Sequence, residues 1–234
     1  MLSMASVVLF FSCNNGTSNE EATTEDTNAV IDSPRAQVVK PAFTPFKMVA
    51  IQHRVKDFDK SVSGYFSHDS LLKAYGITHF IIARVLKDSN LVFVIDKIED
   101  VEKSKSFFKD PKVTEAMKKA GVSKPPAYSY AEMVRYDDSP RKYAEGLSVA
   151  HHVKDFDVWL KAFDSTGPSV RAAHGLIDRG IARDFHDPNM VYVTFEISDM
   201  AKARARMASP ELKKIMENSG VDTPPTFRWF KVVQ

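Results

Sequence analysis

Three observations predict an α+β fold of two tandem βαββαβ repeats in one chain. The 234 residues are 44% hydrophobic and 26% charged, which is the composition of a globular protein. A block of sequence recurs with a period of about 98 residues. Within each copy, short apolar runs alternate with stretches of helical periodicity. We therefore expect a first repeat over residues 43–136, a polar linker over 137–145 and a second repeat over 146–234.

The repeat is clearest at the end of the first predicted strand of each copy. The segment HRVKDFD at 53–59 recurs as HHVKDFD at 151–157. Further along, the tripeptide IAR at 82–84 recurs at 181–183. Nearly the whole of both halves aligns with a length change of about one residue, so gene duplication and fusion is the simplest explanation.

Each copy is predicted to run strand, helix, strand, strand, helix, strand. Asp57 and Asp155 are placed to cap the first helix of their copies, and Asp100 and Asp199 to cap the second. Polar turn residues between two apolar runs predict a tight hairpin in each copy. The predicted strands are 48–55, 79–86, 91–98 and 128–136 in the first copy, and 147–153, 177–185, 190–197 and 227–233 in the second.

The second helix of each copy is expected to restart where a capping residue precedes a proline, at Asp110-Pro111 and at Ser209-Pro210. Gly121 and Gly220 are expected to end these helices in the left-handed conformation. A βαββαβ order predicts a ferredoxin-like sheet with both helices on one face. Two such sheets can pack against each other as an intrachain dimeric α/β barrel, with a pocket in or beside its centre.

The first 42 residues differ in composition from the rest of the chain. A short apolar run, ASVVLFFS, ends directly before Cys13, and the following residues 14–33 carry five acids and no Lys or Arg. This order resembles a bacterial lipoprotein signal. The resemblance implies a signal peptide over 1–12, lipidation of Cys13 and a flexible acidic tether over 13–42. We therefore expect a membrane partner through the lipid anchor and a location in the bacterial cell envelope.

Several classes of function find no support in the sequence. The formal charge of +2 and the scattered basic residues do not favour binding of nucleic acid. A single cysteine excludes an internal disulfide and a cysteine-based metal centre. The motifs of dinucleotide-binding proteins, P-loop proteins, serine hydrolases, zincins and EF-hands do not occur, and no metal site is predicted.

The second half carries a series of motifs that can be compared with a known family. They are HxVKDFDxW from His151, Arg171 with Gly175, the DPN turn at 187–189 and the SPEL segment that begins at Ser209. In this order they resemble the dimeric α/β-barrel superfamily, in particular the bacterial proteins that are similar to antibiotic-biosynthesis monooxygenases. The resemblance implies the fold and leaves the activity open, because the superfamily includes cofactor-free monooxygenases, isomerases and haem-binding proteins.

The first half departs from this pattern at three positions. Ser61 stands in place of the tryptophan, Leu72 in place of the arginine and Ser89 in place of the proline. These departures predict that the two halves have diverged and that any pocket is asymmetric.

Two repeated pairs on predicted strands are candidate ligand-binding residues. His53 and His151 alternate with apolar neighbours, so each could be a base, a ligand to haem or a polar anchor for a bound molecule. Each could equally be a buried neutral imidazole that is hydrogen-bonded to the backbone. Tyr130 and Trp229 occupy matching places on the last strands, where a large ring either packs in the barrel wall or stacks on a ligand.

Arg84 and Arg183 form the third repeated pair of candidates, near the end of the second strand of each copy. We expect Arg84 to share a sheet face with Phe80 and Ile82. An arginine there could hold a carboxylate or a phosphate. It could also pair with an acid of its own fold, such as Asp184 or Glu196.

The favoured hypothesis is a lipid-anchored protein that binds a small apolar or weakly anionic molecule in or beside the barrel, with no cofactor. One alternative is a cofactor-independent monooxygenase or isomerase in which His53 or His151 is the base. Haem binding through a histidine is a second alternative, and a non-catalytic scaffold for another envelope protein is a third. The sequence leaves open whether the fused barrel pairs again into a homo-oligomer.

Overall fold

The computed structural model describes residues 43–233, which form a closed barrel of eight strands with eight helices. The predicted signal peptide, Cys13 and the whole of the predicted tether lie outside these residues. The first repeat consists of β1 Phe46–Arg54, α1 Phe58–Phe66, α2 Asp69–Ala74, β2 Ile77–Val85, β3 Asp88–Ile98, α3 Val101–Lys109, α4 Pro111–Lys119 and β4 Ala127–Tyr136. The second consists of β5 Glu145–His152, α5 Phe156–Thr166, α6 Pro168–Ala173, β6 Leu176–Asp184, β7 Met190–Ile197, α7 Met200–Met207, α8 Pro210–Asn218 and β8 Thr226–Val232.

Local capping interactions start the helices where the sequence predicts. The Asp57 carboxylate accepts a hydrogen bond from the Lys60 backbone N–H at 3.0 Å, and Asp155 accepts one from the Val158 N–H at 2.9 Å. Asp100 and Asp199 cap α3 and α7 in the same way. Asp110 and Ser209 cap α4 and α8, each of which begins with a proline. The predicted helix starts are therefore confirmed.

The first helix of each repeat is divided into two, which differs from the prediction of a single helix. In the second repeat the break lies at Gly167, whose φ is +73°, followed by Pro168. Proline lacks a backbone N–H and cannot continue the hydrogen bonding of α5. In the first repeat the break follows Ser67, whose hydroxyl donates to the Gly64 carbonyl at 2.7 Å. Each repeat thus has two short helices between its first and second strands.

The strand order explains how the two repeats close one barrel. Each repeat contributes four antiparallel strands, in the order β4-β1-β3-β2 and β8-β5-β7-β6. The edge strands then pair across the repeats, β2 with β8 and β4 with β6. The predicted intrachain dimeric α/β barrel is therefore confirmed.

Alternation along each strand separates two sets of core side chains. Val49, Ile51 and Val55 of the first repeat pack with Phe107 and Phe108 of α3, so this face of the sheet lies against the helices. The opposite face points into the barrel, where Met48 packs with Met133, Ala131 and Ala182. No helix within residues 43–233 is long and apolar enough to cross a lipid bilayer.

A buried ion pair attaches the linker between the repeats to the second repeat. The Arg179 Nε donates to the Glu196 carboxylate at 2.8 Å, and both side chains are almost fully buried. The other carboxylate oxygen of Glu196 accepts the backbone N–H groups of Lys142 at 2.8 Å and Tyr143 at 2.9 Å. Burial disfavours the charged carboxylate, but these hydrogen bonds outweigh it and lower the pKa of Glu196.

We expect Glu196→Gln to lower the free energy of unfolding by about 3 kcal/mol, because it removes the nearer carboxylate of the buried Arg179 and leaves it the Asp137 carboxylate at 3.6 Å. Urea denaturation followed by circular dichroism measures the change. Glu217→Gln is the matched control, because Glu217 is exposed and lies 3.9 Å from Lys213. The control should change stability by less than about 0.5 kcal/mol. A loss below about 1 kcal/mol for Glu196→Gln would show that the pair does not hold the linker.

Candidate functional site

The two predicted histidines lie on the face of the sheet that packs against the helices. His53 continues the series Val49, Ile51 on β1, and His151 occupies the matching position on β5. Both side chains are buried, with 8% and 3% of their surface exposed. Neither histidine therefore points into the barrel interior.

Each histidine lines an apolar cavity between the sheet and the helices of its own repeat. The first cavity has a volume of about 390 Å³, and its wall includes His53, Val94 and Phe108. The second cavity has a volume of about 310 Å³, and its wall includes His151 and Phe195. The sequence predicts a pocket in or beside the barrel centre, whereas these two cavities lie outside the ring of strands. Each pair of helices stands off its sheet far enough to leave a ligand-sized space.

Three of the four ring nitrogens of His53 and His151 lack hydrogen-bond partners within the part of the chain that the structure describes. Nδ1 of His53 and both ring nitrogens of His151 are buried without a hydrogen bond. The backbone hydrogen bond considered for a buried imidazole is therefore not formed by these three nitrogens. Burial lowers the pKa of both histidines to about 4, so both rings are neutral near pH 7. A neutral imidazole offers one donor and one acceptor to a bound molecule.

The two cavities differ because the residues opposite the histidines differ. In the second repeat the Trp159 ring lies 5.4 Å from the His151 ring and occupies space at the cavity wall. In the first repeat the corresponding position is Ser61, which is buried and lines the cavity beside His53. The asymmetry expected from the departures in the first half is thus present around the histidines.

The first repeat also has a buried polar cluster that the sequence reasoning missed. The Tyr65 hydroxyl, on α1, donates to the fully buried Asp96 carboxylate at 2.6 Å, and His79 lies 3.6 Å from the same oxygen. Burial raises the pKa of Asp96, and burial together with Asp96 raises the pKa of Tyr65. Tyr65 lines the first cavity, where its oxygen can still accept a hydrogen bond from a ligand.

An alignment of the two repeats contains the information needed to find this cluster. Phe163 and Phe195 occupy the positions of Tyr65 and Asp96 in the second repeat. A carboxylate at a buried strand position, where the other copy has a phenylalanine, is the pattern of a buried polar interaction. The partner was not predictable, because α1 and β3 are separated in the chain and meet only in the fold.

Arg171, whose counterpart in the first repeat is Leu72, has a local structural role. Its Nε donates to the Asp178 carboxylate at 2.7 Å, and its guanidinium lies 3.9 Å from the centre of the Phe163 ring. A second guanidinium nitrogen donates to the Phe163 carbonyl at 2.8 Å. These contacts hold the end of α5 against β6 on one side of the second cavity.

The predicted arginine pair packs against aromatic rings of the KDFD segments. The Arg84 guanidinium lies 4.2 Å from the centre of the Phe58 ring, and that of Arg183 lies 4.4 Å from the Phe156 ring. Arg84 also donates to the Ser89 carbonyl at 2.9 Å. Neither arginine lines the two cavities described above.

Two expectations about these arginines are corrected. Glu196, considered as a partner of Arg183, is paired with Arg179 instead. Phe80 does not share a face with Arg84, because a β-bulge between His79 and Ile81 shifts the alternation. The Phe80 ring therefore packs inside the barrel, 5.2 Å from that of Phe46.

Tyr130 and Trp229 occupy equivalent places beneath the helices. The ammonium group of Lys105 lies 5.5 Å from the centre of the Tyr130 ring, and the guanidinium of Arg204 lies 4.8 Å from that of Trp229. Both rings belong to the helix-facing cores, and neither lines the two cavities. Of the six predicted site residues, His53 and His151 line a cavity, and a ligand-binding role for the other four stays a prediction.

The fold defines a class of protein, the single-chain dimeric α/β barrel. No protein-family model matches the chain, and no curated protein sequence matches it. Among solved structures, the fold is similar to an anthrone oxidase-like protein, with a TM-score of 0.54, 11% identity, and coverage of 81% of this chain and 92% of that one. It is also similar to a protein of Fusobacterium nucleatum subsp. nucleatum that is proposed to be a monooxygenase, with a TM-score of 0.52, 10% identity, and coverage of 81% and 93%. At these identities the similarity establishes the fold, and the predicted resemblance to barrel proteins of the monooxygenase type is confirmed at that level.

The lowered pKa values of the two cavity histidines predict how stability depends on pH. Between pH 6.5 and about 4, each histidine is neutral when folded and takes up a proton on unfolding. The free energy of unfolding should therefore fall as the pH is lowered through this range, by up to about 1.4 kcal/mol per pH unit for each histidine. In His53→Gln the slope should be smaller, as urea denaturation at several pH values would measure. Equal slopes in the variant and the unmodified protein would show that the folded protein does not hold His53 as a neutral imidazole in this pH range.

Proposed function

We propose that the protein binds a small, mainly apolar molecule with at least one hydrogen-bonding group in the first cavity, against His53. The observation that carries this proposal is a neutral, buried imidazole with an unpartnered nitrogen on the wall of an apolar cavity of about 390 Å³. Cavities of this size and character are typical of small-molecule sites. A buried polar group without a partner costs about 1–3 kcal/mol, and a ligand that pairs with it recovers part of that cost.

The first cavity is the better site of the two because of the residues around it. Ser61 leaves open the space that Trp159 occupies beside the histidine of the second repeat. Tyr65 adds a second polar side chain to the wall, held in one orientation by the hydrogen bond of its hydroxyl to Asp96. The site thus combines an apolar volume with two fixed polar groups, which is what selective binding of a small molecule requires.

The same geometry favours a role of His53 in ligand binding over a role in proton transfer. A general base works best when its pKa is close to the pH at which it operates. The pKa of His53 is near 4, so the ring keeps an abstracted proton poorly at neutral pH. By contrast, the neutral ring can form a hydrogen bond with a ligand in the apolar cavity without taking up a proton.

A cofactor-independent oxygenase at the same cavity is the second candidate, favoured by the fold shared with the anthrone oxidase-like protein. In such a reaction His53 would take a proton from an activated C–H group, and the resulting carbanion would reduce O2 and form a C–O bond. The peroxide anion would then take the proton back from His53 and become a hydroperoxide. The hydroperoxide would then lose water to give a ketone. Every electron needed to reduce O2 comes from the substrate, so the balance requires no other reductant.

The lipid anchor and the location in the cell envelope stay proposals that rest on the sequence pattern around Cys13. These residues lie outside the described part of the chain. The first cavity is lined only by residues of the first repeat. Attachment of the chain to a membrane through the tether would therefore leave the cavity unchanged.

Binding in the first cavity can be tested with the neutral fluorescent probe N-phenyl-1-naphthylamine. We expect the protein to bind it and Ser61→Trp to weaken binding at least tenfold, because the indole fills the space as Trp159 does in the second repeat. Fluorescence titration measures the dissociation constant. Ala116→Phe fills the same cavity from α4 and should act in the same direction.

The matched control is Ser169→Trp, at an exposed residue of α6 that lines neither cavity. It should bind the probe as the unmodified protein does. Circular dichroism and urea denaturation establish that each variant is folded. Equal binding by all four folded proteins would contradict the proposal, as would failure of the unmodified protein to bind the probe.

The oxygenase candidate predicts consumption of dissolved oxygen when anthrone is added, with anthraquinone and water as products. An oxygen electrode measures the oxygen consumed, and absorbance spectroscopy measures the anthraquinone formed. His53→Leu should lower the rate at least tenfold, and His151→Leu should leave it within about twofold. A rate no greater than that of buffer alone would remove this candidate for anthrone and leave the binding proposal in place.

A further inference from the structure

A cleft between α1 and α4 lies beside the first cavity. The cleft has a volume of about 550 Å³. The same five residues line both the cleft and the first cavity, and they are Gly64, His68, Lys112, Ala116 and Ala120. The cleft therefore adjoins the cavity along these residues, and Lys112 lies at the edge of both.

The cleft carries excess positive charge. Lys60, Lys112 and Lys119 line the cleft, together with one acid, Glu115, which pairs with Lys119 at 2.8 Å. Lys60 and Lys112 have no ion pair within residues 43–233. The nearby Asp110 lines the cavity, and its carboxylate accepts the Lys112 backbone N–H at 2.8 Å as the cap of α4. Three lysines against the carboxylates of Glu115 and Asp110 leave an excess of one positive charge at the cleft and the cavity edge.

The second repeat has different charges at the equivalent positions. Val158, Glu211 and Asn218 replace Lys60, Lys112 and Lys119. The Glu211 carboxylate already accepts a hydrogen bond from Arg206 at 2.9 Å. Lys161 and Lys214 do add positive charge there, at the positions of Ser63 and Glu115. The decisive difference is at the cavity edge, where Lys112 of the first repeat corresponds to a carboxylate in the second.

We propose that the cleft is the mouth of the first cavity and that the ligand of this cavity is an anionic amphiphile, with its apolar part beside His53 and a carboxylate, sulfonate or phosphate group between Lys60 and Lys112. This inference rests on the proposed function and names its ligand class. An anion cannot enter the apolar cavity without losing its hydration, so it must stay at the mouth. The two lysines supply the countercharge there, and the cavity excludes water from the rest of the molecule.

Two probes that share one skeleton separate the apolar and the ionic contributions. N-phenyl-1-naphthylamine is neutral, and 1-anilinonaphthalene-8-sulfonate adds one sulfonate to it. We expect the sulfonate to bind more tightly to the unmodified protein, and Lys60→Gln/Lys112→Gln to weaken it about tenfold while the neutral probe changes by less than twofold. Added salt should weaken the sulfonate alone, because the lysines are exposed to solvent.

The matched control is Lys161→Gln/Lys214→Gln, which removes the same charge from exposed residues of the second repeat. It should leave the affinity for the sulfonate within twofold. An equal loss in both double variants would overturn the inference, because it would show a diffuse effect of net charge. Equal affinities of the two probes for the unmodified protein would also overturn it.

Failure of this inference is distinguishable from failure of the proposed function. If the neutral probe binds and Ser61→Trp prevents its binding, the cavity is a binding site whatever the lysine variants show. If Ser61→Trp leaves both probes bound as before, or neither probe binds, the proposed function fails and the inference with it.

Discussion

Closure of the barrel by strand pairing between the two repeats is the constraint on which the rest of the structure depends. A four-stranded repeat alone would expose two strand edges with unpaired N–H and C=O groups. Pairing of β2 with β8 and of β4 with β6 removes all four edges at once. Closure also gives every strand an inner and an outer face. The outer face must then be covered by helices, and the space between helices and strands becomes the place where a ligand can bind.

Because the two repeats share one chain, each cavity can change without the other. In a dimer of identical subunits, a serine opposite the histidine would appear in both halves. Here Ser61 opens the first cavity, and Trp159 narrows the second. Likewise Tyr65 and Asp96 form a buried polar interaction in the first repeat, where the second has two phenylalanines. The fold is symmetric, and the chemistry of the cavities is not.

Repetition and divergence carry different information about the residues. Arg84 and Arg183 are repeated and stack on equivalent phenylalanines, and Tyr130 and Trp229 are both covered by a cation from a helix. These features maintain the packing that both halves require. Ser61, Tyr65 and Asp96 of the first repeat, in contrast, are replaced by aromatic residues in the second. The two histidines are repeated, yet only His53 faces an open space beside a serine.

The sequence by itself determined the features that depend on neighbours in the chain. The caps at Asp57 and Asp155, the helix restarts at prolines and the strands follow from interactions within a few residues. The duplication adds the strand order and the closed barrel. Only the tertiary structure decided which face each histidine occupies, that Phe80 points into the barrel after a bulge, and that Asp96 meets Tyr65. These outcomes depend on contacts between segments far apart in the chain, and alternation within a strand does not specify which of its two faces meets the helices.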